Sequence, residues 1–195
     1  MPRLKIDTLT FILLFVSLVY TPFKDTLPVL GAITIHEISH IISARLMRIE
    51  IKEVELNILG AKIHTKNSLF SYRMEVFLAL SGPLINLLLF TIIIISQSLW
   101  GNDSIKQFAF CNLALGLLNL LPVEGFDGGR IINGLLSRFL SPRTVLSISH
   151  FLSFVVIFLL WLFSVYFLLR TGTSIALFIF CAALFSKMIN REVFI

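Results

Sequence analysis

Two histidines and a glutamate stand in an otherwise apolar run, ITIHEISHIISARL, residues 33–46. On an α-helix, positions i and i+4 share a face, so His36 and His40 can present two imidazoles to one metal ion. Glu37 projects about a quarter turn away, within reach of a water at that ion. Imidazole nitrogens, tetrahedral geometry and an open fourth position suit a single zinc ion, Zn2+. Such an ion brings the pKa of its water towards neutrality, and Glu37 is then placed to take the proton. The pattern fixes only three residues in five and arises by chance in unrelated helices, where the histidines simply bond to neighbours. Its setting weighs for chemistry, because ionisable side chains inside a membrane span are rare and usually functional.

That setting follows from composition. Of 195 residues, 57% are hydrophobic and only 14% charged, with a mean hydropathy of +0.94. A soluble domain is about half apolar and a quarter charged. The chain therefore reads as one membrane-embedded domain over 1–195, an integral multi-pass protein in a lipid bilayer. Cys111 and Cys181 both lie in apolar segments and read as small buried hydrophobes. The net charge of +5 comes without a basic run interleaved with aromatics, so no nucleic-acid partner is expected. The N-terminal MPRLKIDTLTFILLFVSLVY lacks a small-x-small cleavage site and reads as a retained first span.

Apolar runs place six spans at about 8–21, 27–48, 72–97, 104–121, 144–169 and 173–189. The fourth stops at Pro122, which cannot continue a helix. With six spans, 13 of the 16 Lys and Arg fall on one side, leaving Lys24, Lys106 and Arg170 on the other. The positive-inside rule then puts both termini in the cytoplasm. Between the second and third spans, RIEIKEVELNILGAKIHTK (48–66) nearly alternates apolar and polar residues. Period two means strand, and Gly60 marks a turn, so a cytoplasmic-side β-hairpin is expected, with Glu53 breaking the alternation as at a bulge. The fold class is thus all-α polytopic, with about six transmembrane helices and this small hairpin. After the fourth span, GGRIINGLLSRFL reads as a short interfacial helix with Ile131, Ile132, Leu135, Leu136 and Phe139 on its apolar face.

Two ligands do not complete a zinc site. The third must come from the cytoplasmic half of another span or its end, which leaves Glu75, Glu124, Asp127, His64 and His150. Asp127 stands out, because Gly125 precedes it and two glycines follow, a turn that lets backbone fold back into a pocket. An N-cap for a helix over 128–140 explains the same residue equally well. Glu124 reads as exposed, and His64 and His150 as hydrogen-bonded near the interface.

At these residues the chain resembles the site-2 protease family of intramembrane zinc metalloproteases. HEISH at 36–40, SGPLIN at 81–86 and NLLPVEGFDGGR at 119–130 occur in the family's order. The resemblance covers about 31–130 and implies a three-span core, at about 27–130, with flanking spans. It implies His36, His40 and Asp127 as ligands of one Zn2+ and Glu37 as the catalytic glutamate. Relatives often carry a Pro-rich stretch where this chain has Val123-Glu124-Gly125-Phe126. No PDZ insert appears between the spans, and the layout of one short span before the motif and two after the core resembles the stage IV sporulation protein FB branch, whose members cleave a pro-sigma factor during spore formation. Some of those members carry a CBS tail, which this chain lacks. That branch implies a bacterial cell membrane and regulated intramembrane proteolysis, with membrane inhibitor or regulator proteins as partners.

The expected activity is hydrolysis of a peptide bond in a membrane-associated protein, near the cytoplasmic face. A helical substrate hides its carbonyls, and an exposed strand edge in 48–66 offers pairing to an extended segment. Asn86 and Asn119, polar within apolar spans, are candidates for bonding substrate or oxyanion, with interhelical bonding the alternative. A metal transporter or metal-binding membrane protein is the rival from another class, and an anti-sigma factor is the rival substrate.

Overall fold

The computed structural model describes residues 3–6, 22–49, 51–57, 60–65, 71–96, 102–171 and 175–192. The elements run β1 (Arg3–Ile6), α1 (Phe23–Leu46), β2 (Ile51–Asn57), β3 (Gly60–Thr65), α2 (Tyr72–Ile95), α3 (Asp103–Asn119), α4 (Asp127–Leu136), α5 (Pro142–Thr171) and α6 (Ile175–Glu192). The expected first span at about 8–21 lies outside the described residues.

Helix boundaries have local causes. Pro22 sits at the N-cap of α1, where a missing N–H costs nothing, and Asp25 in the first turn and Arg45 in the last complement the helix dipole. The helix ends where Arg48 takes a left-handed φ of 57° and the Ile49 N–H donates back to the Ala44 carbonyl at 2.9 Å. Ile49 is thereby turned onto Ala44 and Leu78. Asn102 caps α3, its Oδ1 accepting from the Ser104 N–H at 2.9 Å. The other end of α3 stops at Asn119, before Pro122.

Among the described residues, on which five of the six expected spans fall, three helices, α1, α2 and α5, are long and apolar enough to cross a membrane. With 17 residues, α3 rises about 26 Å, short of the roughly 30 Å hydrocarbon layer. In α6 the apolar part covers Leu177–Ser186. The burial pattern is the reverse of a soluble protein's: Leu84, Leu88 and Ile92 of α2 are exposed, while His36, His40, Asn86, Asn112 and Asp127 are buried.

The strands form one sheet in the order β1-β2-β3. β2 and β3 are antiparallel, with a register irregularity between Ile51 and Glu53. β1 runs parallel to β2, Arg3 opposite Glu53 and Ile6 opposite Leu56. Nothing in the sequence patterning singled out β1 as a strand.

α2 is the hub, packed against α1, α3 and α4. α4 differs from the interfacial helix expected: it covers Asp127–Leu136, not 128–140, and buries its glycine side. Leu135 and Phe139, from the expected apolar face, are exposed, as on a helix whose apolar side meets lipid. The reason is close approach. A Cβ on Gly134 would stand 2.7 Å from Val76 Cγ2 of α2, so the smallest residues make the contact and the larger ones turn outward.

Candidate metal centre

His36 and His40 share the inner face of α1, both nearly inaccessible. Their Nε2 atoms lie 3.3 Å apart. Asp127, the first residue of α4, brings Oδ2 to 3.1 Å from each. The three donor atoms fall within 4.8 Å of one another, the one such cluster of His, Cys, Asp and Glu among the described residues.

The Nδ1 atoms are committed elsewhere. His40 Nδ1 lies 2.8 Å from the Leu78 carbonyl and 3.0 Å from Ser81 Oγ. A carbonyl only accepts, so Nδ1 carries the proton and donates. His36 Nδ1 lies 2.6 Å from Asn86 Oδ1 and donates to it. In neutral imidazoles both Nε2 lone pairs then point at a carboxylate oxygen. Three electron-pair donors facing each other at 3.1–3.3 Å repel unless a cation sits among them. Two imidazole nitrogens and one carboxylate oxygen are also the donor set of an open catalytic zinc site, so the residues fit such an ion.

Asp127 is held from both sides. Arg130, one turn on, places a guanidinium nitrogen 3.4 Å from Oδ1, leaving Oδ2 for the histidines. Capping does not explain the residue: Phe126 occupies the N-cap position, and Asp127 aims its carboxylate across at α1.

The segment before Asp127 folds tightly on itself. Gly125 adopts φ 96°, a conformation that strains any residue bearing a Cβ. A Cβ on Gly128 would meet the Leu120 carbonyl oxygen at 2.2 Å, and one on Gly129 the Val123 oxygen at 2.4 Å. Val123 and Phe126 anchor the segment against Ile157 of α5 and Leu184 of α6. Ser153 of α5 accepts from the Glu124 N–H at 2.9 Å. Thus α5 and α6 brace the third ligand without contributing to the cluster.

Glu37 is half-buried on α1, next in chain to His36. Asn86 is fully buried: its Oδ1 meets His36, and its Nδ2 donates to the Ala32 carbonyl at 3.3 Å and to Asn112 Oδ1 at 2.7 Å. Asn119 is half-buried and donates to the Leu115 carbonyl of its own helix at 3.1 Å. Of the other third-ligand candidates, Glu75 stands in the first turn of α2. Glu124 is only 12% exposed at its side chain and lies 3.6 Å from His150 Nε2, so it is a partly buried partner of His150 rather than an exposed carboxylate. His64 belongs to β3, opposite Glu53.

The sequence reading missed three contributors. Gly82 is where α2 touches the ligands: a Cβ there would come within 2.5 Å of His40 Nε2 and 2.6 Å of His36 Nε2. It is the gap that admits both imidazoles. Arg130, one basic residue in the expected interfacial helix, carried no sign that it would meet Asp127. Asn112, one polar residue in an apolar helix, carried no signal beyond its cost of burial.

The family model described as peptidase family M50 matches residues 102–163. No curated protein sequence matches the chain. Among solved structures, the site-2 protease from Methanocaldococcus jannaschii superposes with a TM-score of 0.71 at 20% identity, covering 97% of this chain and 91% of that one.

Proposed function

We propose that this protein is a site-2-type metalloprotease of the peptidase family M50 kind, which uses one Zn2+ and Glu37 to hydrolyse a peptide bond in a membrane-associated protein near the cytoplasmic face of the bilayer. The observation that carries the reading is the convergence of His36, His40 and Asp127, from two separate helices, on one point beside Glu37. A bound zinc ion would supply Lewis acidity, polarising a carbonyl and making water nucleophilic near neutral pH. The chain's own residues do the rest. His36, His40 and Asp127 would hold the ion, with Asn86 orienting His36 and the Leu78 carbonyl orienting His40. Glu37 would accept the proton of the attacking water and return it to the leaving amine. Clustering at one depth supports hydrolysis over transport, which needs ligands stepped along a path.

Substrate pairing at the sheet has a restricted geometry. β2 is flanked by β1 on one side and β3 on the other, so among the described residues the outer edges of the sheet are those of β1 and β3. An extended segment of substrate would add to one of them. Pairing of β1 with β2 also brings Arg3–Ile6 to the side on which α1 ends. This supports placing the N-terminus and residues 48–66 together in the cytoplasm. Within this reading the specific substrate is a pro-sigma factor of the sporulation type, with an anti-sigma factor as the alternative, and a membrane protein serves as inhibitor or regulator.

The test is Glu37→Gln, co-expressed with a candidate membrane substrate. The amide keeps size and polarity but cannot take a proton. Cleavage is expected to fall by at least about 100-fold, the lower end of what a general base contributes. Cleavage at the wild-type rate overturns the proposal.

A further inference from the structure

Asn112 lies two residues back from the metal centre, on a different helix from any ligand. Its side chain is fully inaccessible. Its Nδ2 donates to the Phe108 carbonyl at 2.8 Å, and its Oδ1 accepts from Asn86 Nδ2 at 2.7 Å. Asn86 in turn accepts from His36 Nδ1 at 2.6 Å.

We propose that Asn112 is a positioning residue that sets the tautomer of His36, acting through Asn86 from across the helix bundle. Polarity fixes the direction at every step. An amide side chain is nearly the same shape either way round, so its partners decide which end is the donor. The Phe108 carbonyl can only accept, which turns Asn112 Nδ2 towards it and Oδ1 towards Asn86. Asn86 must then offer Nδ2, a choice seconded by the Ala32 carbonyl at 3.3 Å. That leaves Asn86 Oδ1 for His36, which must donate from Nδ1. The proton is placed on Nδ1, and Nε2 is left with the lone pair that a metal ion requires. Two buried amides and a histidine on three helices thus have one self-consistent arrangement. Reversing any member would set donor against donor or acceptor against acceptor in a place without water to relieve it.

The inference rests on the metal-centre reading, and a plain interhelical tie between α2 and α3 is what it must be separated from. The experiment is zinc competition against a chromophoric chelator on the full chain in detergent, with thermal unfolding as a check on folding. Asn112→Leu removes the acceptor that orients Asn86 and is expected to weaken zinc binding about 10–100-fold, the usual cost of losing an outer partner. Asn112→Asp, as a neutral acid favoured by burial, can still donate to the Phe108 carbonyl and accept from Asn86. It is expected to restore affinity to within about threefold of wild type, well inside the 10–100-fold window. Asn86→Leu/Asn112→Leu should bind no more weakly than Asn86→Leu alone, because Asn112 acts only through Asn86. A mere interhelical tie would instead lower the unfolding temperature and leave zinc affinity at the wild-type value. The relay is overturned by wild-type affinity in Asn112→Leu, by additivity in the double variant, or by an Asn112→Asp as weak as Asn112→Leu. If neither Asn112→Leu nor Asn112→Ala folds, Asn112 is structural and the relay is likewise overturned. His36→Ala separates the two readings: zinc content unchanged by that substitution removes the metal centre itself, whereas an unaffected Asn112→Leu removes only the relay.

Discussion

Glu37, His36, His40 and Asp127 divide the chemistry, and single substitutions should divide it the same way. Replacing Asp127 with Asn keeps the shape of the side chain but removes its charge from between two imidazole nitrogens 3.1 Å away. Zinc affinity should drop by more than the roughly 10–100-fold that losing a supporting partner costs. Chelator competition measures this, and near-normal affinity would assign Asp127 a structural part only. Glu37→Gln should bind zinc as wild type does while cleaving nothing detectable, because in the proposed mechanism the glutamate acts on water rather than on the ion. Metal content of the purified variant distinguishes the two: a metal-free Glu37→Gln protein would make Glu37 part of the ligand set. How much of this was legible follows from distance in the chain. His36, Glu37 and His40 lie within one and a half helical turns, so helix geometry alone brings them together. Asp127 comes 87 residues after His40, and spacing left capping as good an account as ligation. Only resemblance, and then the fold, chose between them. Asn112 was not legible at all, because its partner Asn86 is 26 residues away on another helix.

Among the elements, the glycines of α2 and of the segment entering α4 decide whether the ligands can meet. Gly82→Ala should improve helix propensity by about 1 kcal/mol, yet disable the site. Its methyl group would stand 2.5–2.6 Å from both Nε2 atoms. The expected result is a protein that folds but loses zinc binding and proteolysis together, and an active Gly82→Ala would show that the imidazoles can retreat. Ser153→Ala tests the brace from α5. It leaves the Glu124 N–H without its 2.9 Å acceptor, at a cost of about 1–3 kcal/mol for a buried donor. Thermal unfolding should show that loss, with zinc affinity falling less than in Asp127→Asn, because the brace acts on the segment and not on the ligand. At this scale the sequence left the inner face of α4 unread. The apolar pattern of Ile131, Ile132, Leu135 and Leu136 marked the apolar face of an interfacial helix, but gave no sign that contact with α2 at Gly134 demands the glycine side. Hydrophobic periodicity tells the buried face from the exposed one only when the outside is water. Here Leu135 and Phe139 are exposed without contradiction, since lipid is no less apolar than a protein core.

For the whole molecule, the distribution of charge and the sheet make one topological prediction. If both termini are cytoplasmic, a fluorescent reporter fused after Ile195 should mature, and alkaline phosphatase at the same point should stay inactive. An active phosphatase there would refute the six-span count. The chain by itself determined the solvent: with 57% hydrophobic and 14% charged residues, no soluble core could hide its apolar surface. It also determined the local part of the site, because HEISH needs nothing beyond a helix to align its members. Tertiary structure decided everything that depends on which helix faces which. It brought Asp127 to the histidines, turned Gly82 rather than a bulkier residue towards them, and joined Asn112 to His36 through Asn86. The physical reason is the range of the forces involved. Solvent preference and helical periodicity act on neighbours in the chain and leave a pattern there. Hydrogen bonds and ligand convergence act over about 3 Å in space, between residues the chain keeps far apart, and they leave none.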